Sequence, residues 1–98
     1  MINHCILEGR LAAPAEERTL PSGDTIVTFR IIVPREEPGR VDTIDCCLHA
    51  PRLRRRMLAI PALTDIHVEG QLHRRFWRGP TGPVSRHEVV VSLLRRCT

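Results

Sequence analysis

The chain contains no lysine and no tyrosine, and its only aromatic side chains are Phe29, Phe76 and Trp77. With eight prolines besides, burial falls to Ile, Val, Leu and Ala. No apolar run approaches the roughly 18 residues that a membrane span needs, so a soluble chain with no membrane partner is expected. The opening decapeptide MINHCILEGR lacks a basic n-region and an apolar h-region. A secretory signal is therefore not expected, and a cytoplasmic location follows by default. The four cysteines, at 5, 46, 47 and 97, nowhere form Cys-x-x-Cys. Closed zinc sites want paired ligands at short spacing, so neither a metal nor a cofactor is expected. The thiols are read as reduced, with Cys5 and Cys46 as small core hydrophobes. Asp42, Asp45, His49, His67, His73 and His87 offer acid–base groups, and Glu69 shares a strand face with two of the histidines. No nucleophile stands beside a base, however, so no catalytic residue is assigned and the chain is not read as an enzyme.

What is present is basic. All 15 cations are arginine, the formal net charge is +4 and the isoelectric point is near 9.5. Such a balance suits a polyanionic partner without demanding one, and GC-rich coding explains arginine in place of lysine as readily as phosphate recognition does. Ninety-eight residues make one domain, 1–98, with a small core.

The stretch Ile66–Leu94 reads as two strands joined by a Gly/Pro-punctuated turn. Ile66, Val68, Gly70 and Leu72 are expected on a buried face; His67, Glu69, Gln71, His73, Arg75 and Trp77 are expected on a solvated one. Arg75 and Trp77 then emerge side by side, with Arg74, Arg78 and Arg86 close by. A cation beside an exposed flat ring can hold a phosphate and stack a base; the competing reading has Trp77 capping a barrel mouth.

Upstream, residues 2–11 alternate as a first strand, with Cys5, Leu7, Gly9 and Leu11 inward. Leu7-Glu8-Gly9-Arg10-Leu11 is echoed by Val68-Glu69-Gly70-Gln71-Leu72, which predicts two strands each bending at a glycine to close a small barrel. Pro14 to Asp24 is read as a connection. Thr25–Val33 is the strongest strand, with Val27, Phe29, Ile31 and Val33 inward. Val41–His49 is a third, after a charged Pro-rich loop. Pro51 opens a short helix whose apolar stripe is Leu53, Met57 and Ile60; Arg52, Arg54, Arg55 and Arg56 form its solvated face, and Pro61 stops it. Three strands, a helix and two strands give the order of an all-β OB-fold, a five-stranded Greek-key barrel with one short helix between strands three and four. Small SH3-like barrels and split sandwiches compete at this level. Ile6, Ile26 and Ile32 fall on outer faces, which suggests a buried interface and hence a homo-oligomer, dimer or tetramer.

Several segments occur in a familiar order: Gly9-Arg10-Leu11, Pro14-Ala15-Glu16-Glu17-Arg18, Ser22-Gly23, Val27-Thr28-Phe29, Asp42-Thr43-Ile44-Asp45-Cys46, Val68-Glu69-Gly70-Gln71-Leu72, Arg75-Phe76-Trp77 and Glu88-Val89-Val90-Val91. Together they resemble the bacterial single-stranded DNA-binding proteins. The resemblance implies an OB-fold that oligomerises, usually as a tetramer, and holds single-stranded DNA in basic grooves with bases stacked on rings. It makes Trp77 a stacking platform and Arg75 its phosphate-facing neighbour. The candidate nucleic-acid-binding residues are accordingly Trp77, Arg75, His73, His49, Arg10, Arg30, Arg74, Arg78 and Arg86. Two aromatic positions of the family fall on Thr43 and His49, and Asp45 on the same face is expected to repel phosphate. The sequence closes on Arg95-Arg96-Cys97-Thr98, without the family's Gly-rich, acidic tail for recruiting partner proteins. The expectation is a short paralogue that binds single-stranded DNA, with RNA possible, in replication, repair or recombination, more weakly and with more salt sensitivity than a full-length member. The alternative is an oligomerisation or protein-interaction module on the same fold that has lost most nucleic-acid binding.

Overall fold

The computed structural model describes residues 1–97; Thr98, the last residue of the closing segment, lies outside them. Six strands and one helix follow in order: β1 (Cys5–Leu11), β2 (Glu16–Thr19), β3 (Thr25–Pro34), β4 (Val41–Leu48), α1 (Pro51–Leu58), β5 (Asp65–Gly79) and β6 (Gly82–Arg96). The strands hydrogen-bond in the order β1-β5-β6-β4-β3-β2, and β1 also pairs with β3. That last pairing closes β1, β5, β6, β4 and β3 into a ring, with α1 between the third and fourth strands of the ring. This is the OB arrangement. β4 and β6 run parallel and every other pair is antiparallel.

Two glycines make the closure possible. β1 lies along β5 as far as Arg10↔Asp65, then passes to β3 through Arg10↔Ile32 and Leu11↔Ile31. At this crossing a Cβ on Gly9 would sit 2.2 Å from the Ile32 carbonyl oxygen. On β5, the register against β6 shifts between Glu69 and Gly70, where a Cβ on Gly70 would sit 2.1 Å from the Val90 carbonyl oxygen. Backbones approach too closely at both points for any side chain, and the echoed Glu-Gly pair marks both bends.

Alternation supplies the core. Leu11, Val27, Phe29, Ile31, Cys46, Leu48, Ile66, Val68, Val89, Val91 and Leu94 pack inside the ring, and Met57 and Ile60 complete the core from α1 and the turn after it. Pro51 opens the helix at its first turn, as its missing N–H allows. None of the helices among the described residues is long and apolar enough to cross a membrane.

Four expectations are corrected. The stretch read as a connection contains β2, which pairs with β3 from Glu16↔Thr28 to Thr19↔Thr25; its sequence, Glu-Glu-Arg-Thr, carries no apolar alternation because it hangs on the sheet edge with every residue exposed. Ile26 is not a free surface residue but 2 % exposed, with Arg18 of β2 paired directly opposite it. His67 is buried rather than solvated, at 6 % exposure. Leu72, expected inside, is exposed, because β1 leaves β5 at Gly70 and the β5–β6 hairpin runs on beyond the ring. The Asn3 side chain takes the place of the missing strand at that rim, donating to Leu72 O and accepting from Leu72 N, both at 2.8 Å.

Candidate nucleic-acid interface

The outer face of β2-β3-β4-β6 and the outer face of the projecting hairpin form one continuous surface. Because strand side chains alternate, the pairings fix what lies on it. Thr28 and Arg30 of β3 adjoin Cys47 and Asp45 of β4. On the hairpin, His73 faces Glu88, Arg75 faces Arg86 and Trp77 faces Val84. A groove of about 410 Å³ opens here, lined by Arg18, Arg30, Arg75 and Arg86 with Glu16, Asp45 and Glu88 among them.

Its charges are matched in pairs. Asp45 Oδ1 accepts from Arg30 Nε at 3.0 Å, and Asp45 Oδ2 lies 3.6 Å from Arg86 Nε. The carboxylate expected to repel phosphate is thus held between two cations. Arg18 Nη2 donates to Glu16 Oε2 at 3.3 Å. Arg75 Nε is 3.9 Å from Glu88 Oε1, and among the described residues this buried N–H has no hydrogen-bond partner. Beneath the groove, burial and the nearby Glu88 carboxylate push the Cys47 thiol up to about 12; burial and Cys47 do the same to Cys46. Neither thiol ionises near neutral pH, so both serve as packing.

At the hairpin end, Trp77 is 40 % exposed and lies outside the core cluster, so it does not cap the barrel mouth. The guanidinium carbon of Arg75 is 5.4 Å from the ring centroid and that of Arg86 is 6.0 Å from it. One exposed flat ring thus carries two guanidinium groups over it, the neighbourhood of Arg75, Arg86 and Trp77 that strand alternation predicts.

Of the other candidates, Arg30 lines the groove and His73 sits beside it, its Nε2 3.3 Å from Gln71 Oε1. Arg10 is turned away and paired to Asp65, Nε to Oδ1 3.3 Å. His49 follows the last residue of β4, near Cys47 Sγ at 4.0 Å and away from Trp77. Arg74 and Arg78 lie on the reverse face of the hairpin. Two arginines of α1 have structural work: Arg54 donates to His49 O at 3.0 Å and Arg56 to Leu94 O at 2.6 Å. Sequence reasoning missed Arg18, whose strand it did not see, and Phe76, which the same alternation that exposes Trp77 turns to the reverse face.

The histidine on the opposite side of the barrel has a separate role. His67 Nδ1 meets Glu8 Oε2 at 2.7 Å and its Nε2 meets Glu69 Oε2 at 2.7 Å, with His4 Nε2 3.3 Å from Glu69 Oε1. Both bonds need N–H on the ring, so the arrangement selects imidazolium. Hydrogen bonds to Glu69 and Glu8 raise the His67 pKa above 6.5, against burial and the nearby Arg95 cation. The bond from His67 lowers that of Glu69 below 4.5. A raised histidine stabilises the fold below its unfolded pKa and loses that contribution as pH rises through the folded value; a lowered carboxylate loses its contribution as pH falls. Stability from this link between β1 and β5 is therefore expected to be greatest between about pH 4.5 and 6.5 and to decline on the alkaline side. Urea midpoints measured across pH should show that alkaline decline, and His67→Gln should flatten it. An unchanged profile in the variant would remove the ion pair from the account. Among the described residues, no group of three or more His, Cys, Asp or Glu side chains is placed to hold a metal ion.

A five-stranded closed barrel with one short helix, carrying a groove of paired arginines and carboxylates, defines a small OB-fold protein. The chain belongs to the Single-strand binding protein family, whose family model matches residues 2–96. No curated protein sequence matches it. Among solved structures it is similar to the Plasmodium falciparum SSB in complex with ssDNA, with a TM-score of 0.81 and 19 % identity, over 100 % of this chain and 96 % of that one. At that identity the likeness establishes the fold.

Proposed function

We propose that this protein binds single-stranded DNA without sequence preference, as a homo-oligomeric cytoplasmic protein acting in replication, repair or recombination. The observation that carries the reading is Trp77 with Arg75 and Arg86 at its ring, at the end of a groove lined by further arginines. Phosphates exchange places with the groove carboxylates on Arg18, Arg30, Arg75 and Arg86 while a base stacks on the indole. Nothing in such contacts reads base edges, so affinity tolerates sequence, and RNA remains a competing ligand. Family membership and the neighbour bound to ssDNA support the nucleic acid as partner. The exposed Ile6 and Leu93 on the outer face of β1, β5 and β6 support an assembly of copies.

The reading in which the fold is an interaction module draws on a specific observation too: Thr43 and His49 offer no large rings on β4, and Asp45 and Glu88 stand among the cations. Trp77 fluorescence separates the two. With an oligothymidylate of about 35 nucleotides, quenching should appear at low salt and weaken as salt rises. Four phosphate contacts set an upper limit of about −3 on the slope of log affinity against log salt for a single strand. No quenching at low salt would take the indole out of the binding site, and no binding of a labelled oligothymidylate either would reject single-strand binding and leave the interaction module.

A further inference from the structure

We infer that the reverse face of the β5–β6 hairpin is a second stacking site for the same nucleic-acid strand, with Phe76 as its ring and Arg74 and Arg78 as its phosphate partners. The inference rests on the function proposed above. Phe76 is 66 % exposed, more than Trp77, and the register places it opposite Ser85, with Arg74 opposite His87 and Arg78 opposite Pro83. The Arg74 guanidinium carbon lies 4.8 Å from the phenyl centroid and its Nη2 donates to Ser85 Oγ at 3.1 Å. The cation is thus fixed over one face of the ring, and the residue remains exposed.

The charge on this face selects the occupant. Leu72, Arg74, Phe76 and Arg78 of β5 and Pro83, Ser85 and His87 of β6 share it, and among them there is no carboxylate. A single phenyl ring amid like charges is a poor seat for an apolar protein surface, whereas a polyanion with flat bases satisfies both the ring and the arginines. The face is also continuous with the groove, since Trp77 and Phe76 are adjacent residues on opposite sides of one ribbon. A strand leaving Trp77 turns around the hairpin and meets Phe76.

The test measures binding of a labelled oligothymidylate of about 35 nucleotides by anisotropy to the full chain, Phe76→Leu, Trp77→Ala and the double variant. Leucine keeps apolar bulk and removes the flat ring. Phe76→Leu is expected to weaken binding roughly 5- to 50-fold, and independent sites make the effects of the two variants multiply. No loss in Phe76→Leu, or a loss that vanishes when Trp77 is already gone, overturns the second site. So does a change in mass by light scattering without a change in affinity, which would make Phe76 an assembly contact. If Phe76→Leu weakens binding and Trp77→Ala does not, the reverse face stands and the groove reading fails. A parent protein that binds nothing rejects both.

Discussion

Gly70→Ala is expected to destabilise the barrel strongly at the point where it closes. The added methyl would stand 2.1 Å from the Val90 carbonyl oxygen and 2.9 Å from the Val91 Cα. Those atoms are backbone, so no rotamer change relieves the overlap. Nor can β6 retreat easily, since Val90 is paired on one side to Gln71 of β5 and on the other to Cys47 of β4. Overpacking a core side chain costs about 1–3 kcal/mol; forcing paired strands apart should exceed about 3 kcal/mol, against about 5–15 kcal/mol for a whole domain. At this chain length that lowers Tm by at least about 12 °C, which thermal unfolding followed by circular dichroism would register. A drop under about 4 °C would mean that the strands separate freely and that the glycine is no closure point.

Trp77→Ala is expected to reduce affinity for single-stranded DNA by roughly 5- to 150-fold, the stacking of one base on one ring. The variant loses a second element, because Arg75 and Arg86 both lean on the indole and such contacts contribute about 0.5–1 kcal/mol at exposed sites. Folding should barely change, since the ring stands outside the core cluster. The substitution removes the only tryptophan, so affinity has to be read from a labelled oligonucleotide. Full affinity with native stability would strip Trp77 of its role and place binding elsewhere on the surface.

Much of this was legible in the order of residues. Period two placed Val27, Phe29 and Ile31 inside and Trp77 outside; the repeated Glu-Gly marked both points of backbone crowding; Leu53, Met57 and Ile60 marked the helix face. These signals are local, and each rests on the chain's own geometry. What escaped depends on partners distant in sequence. Ile26 looks exposed until Arg18 of β2 comes to lie opposite it. His67 looks solvated until Glu8, 59 residues earlier, closes on its Nδ1. Asp45 looks hostile to phosphate until Arg30 and Arg86 converge on it from β3 and β6. Alternation tells which side a residue faces; it says nothing of what stands opposite.

The carboxylate shared by Arg30 and Arg86 also bears on how the protein lets go. Arginines that neutralise phosphates release the cations condensed along the strand, and the entropy of that release drives the association. Here Asp45 already neutralises part of the charge on Arg30 and Arg86 and, being tethered, stays in the groove when a phosphate arrives, so that fewer of the strand's cations are displaced. Part of the usual entropic gain is then missing, and the affinity falls less steeply with salt than the number of arginines suggests. As a strand peels away, Asp45 re-forms its contacts with both cations at once, ahead of any diffusing ion. On the function proposed above, a groove that carries its own counterion would exchange its ligand readily.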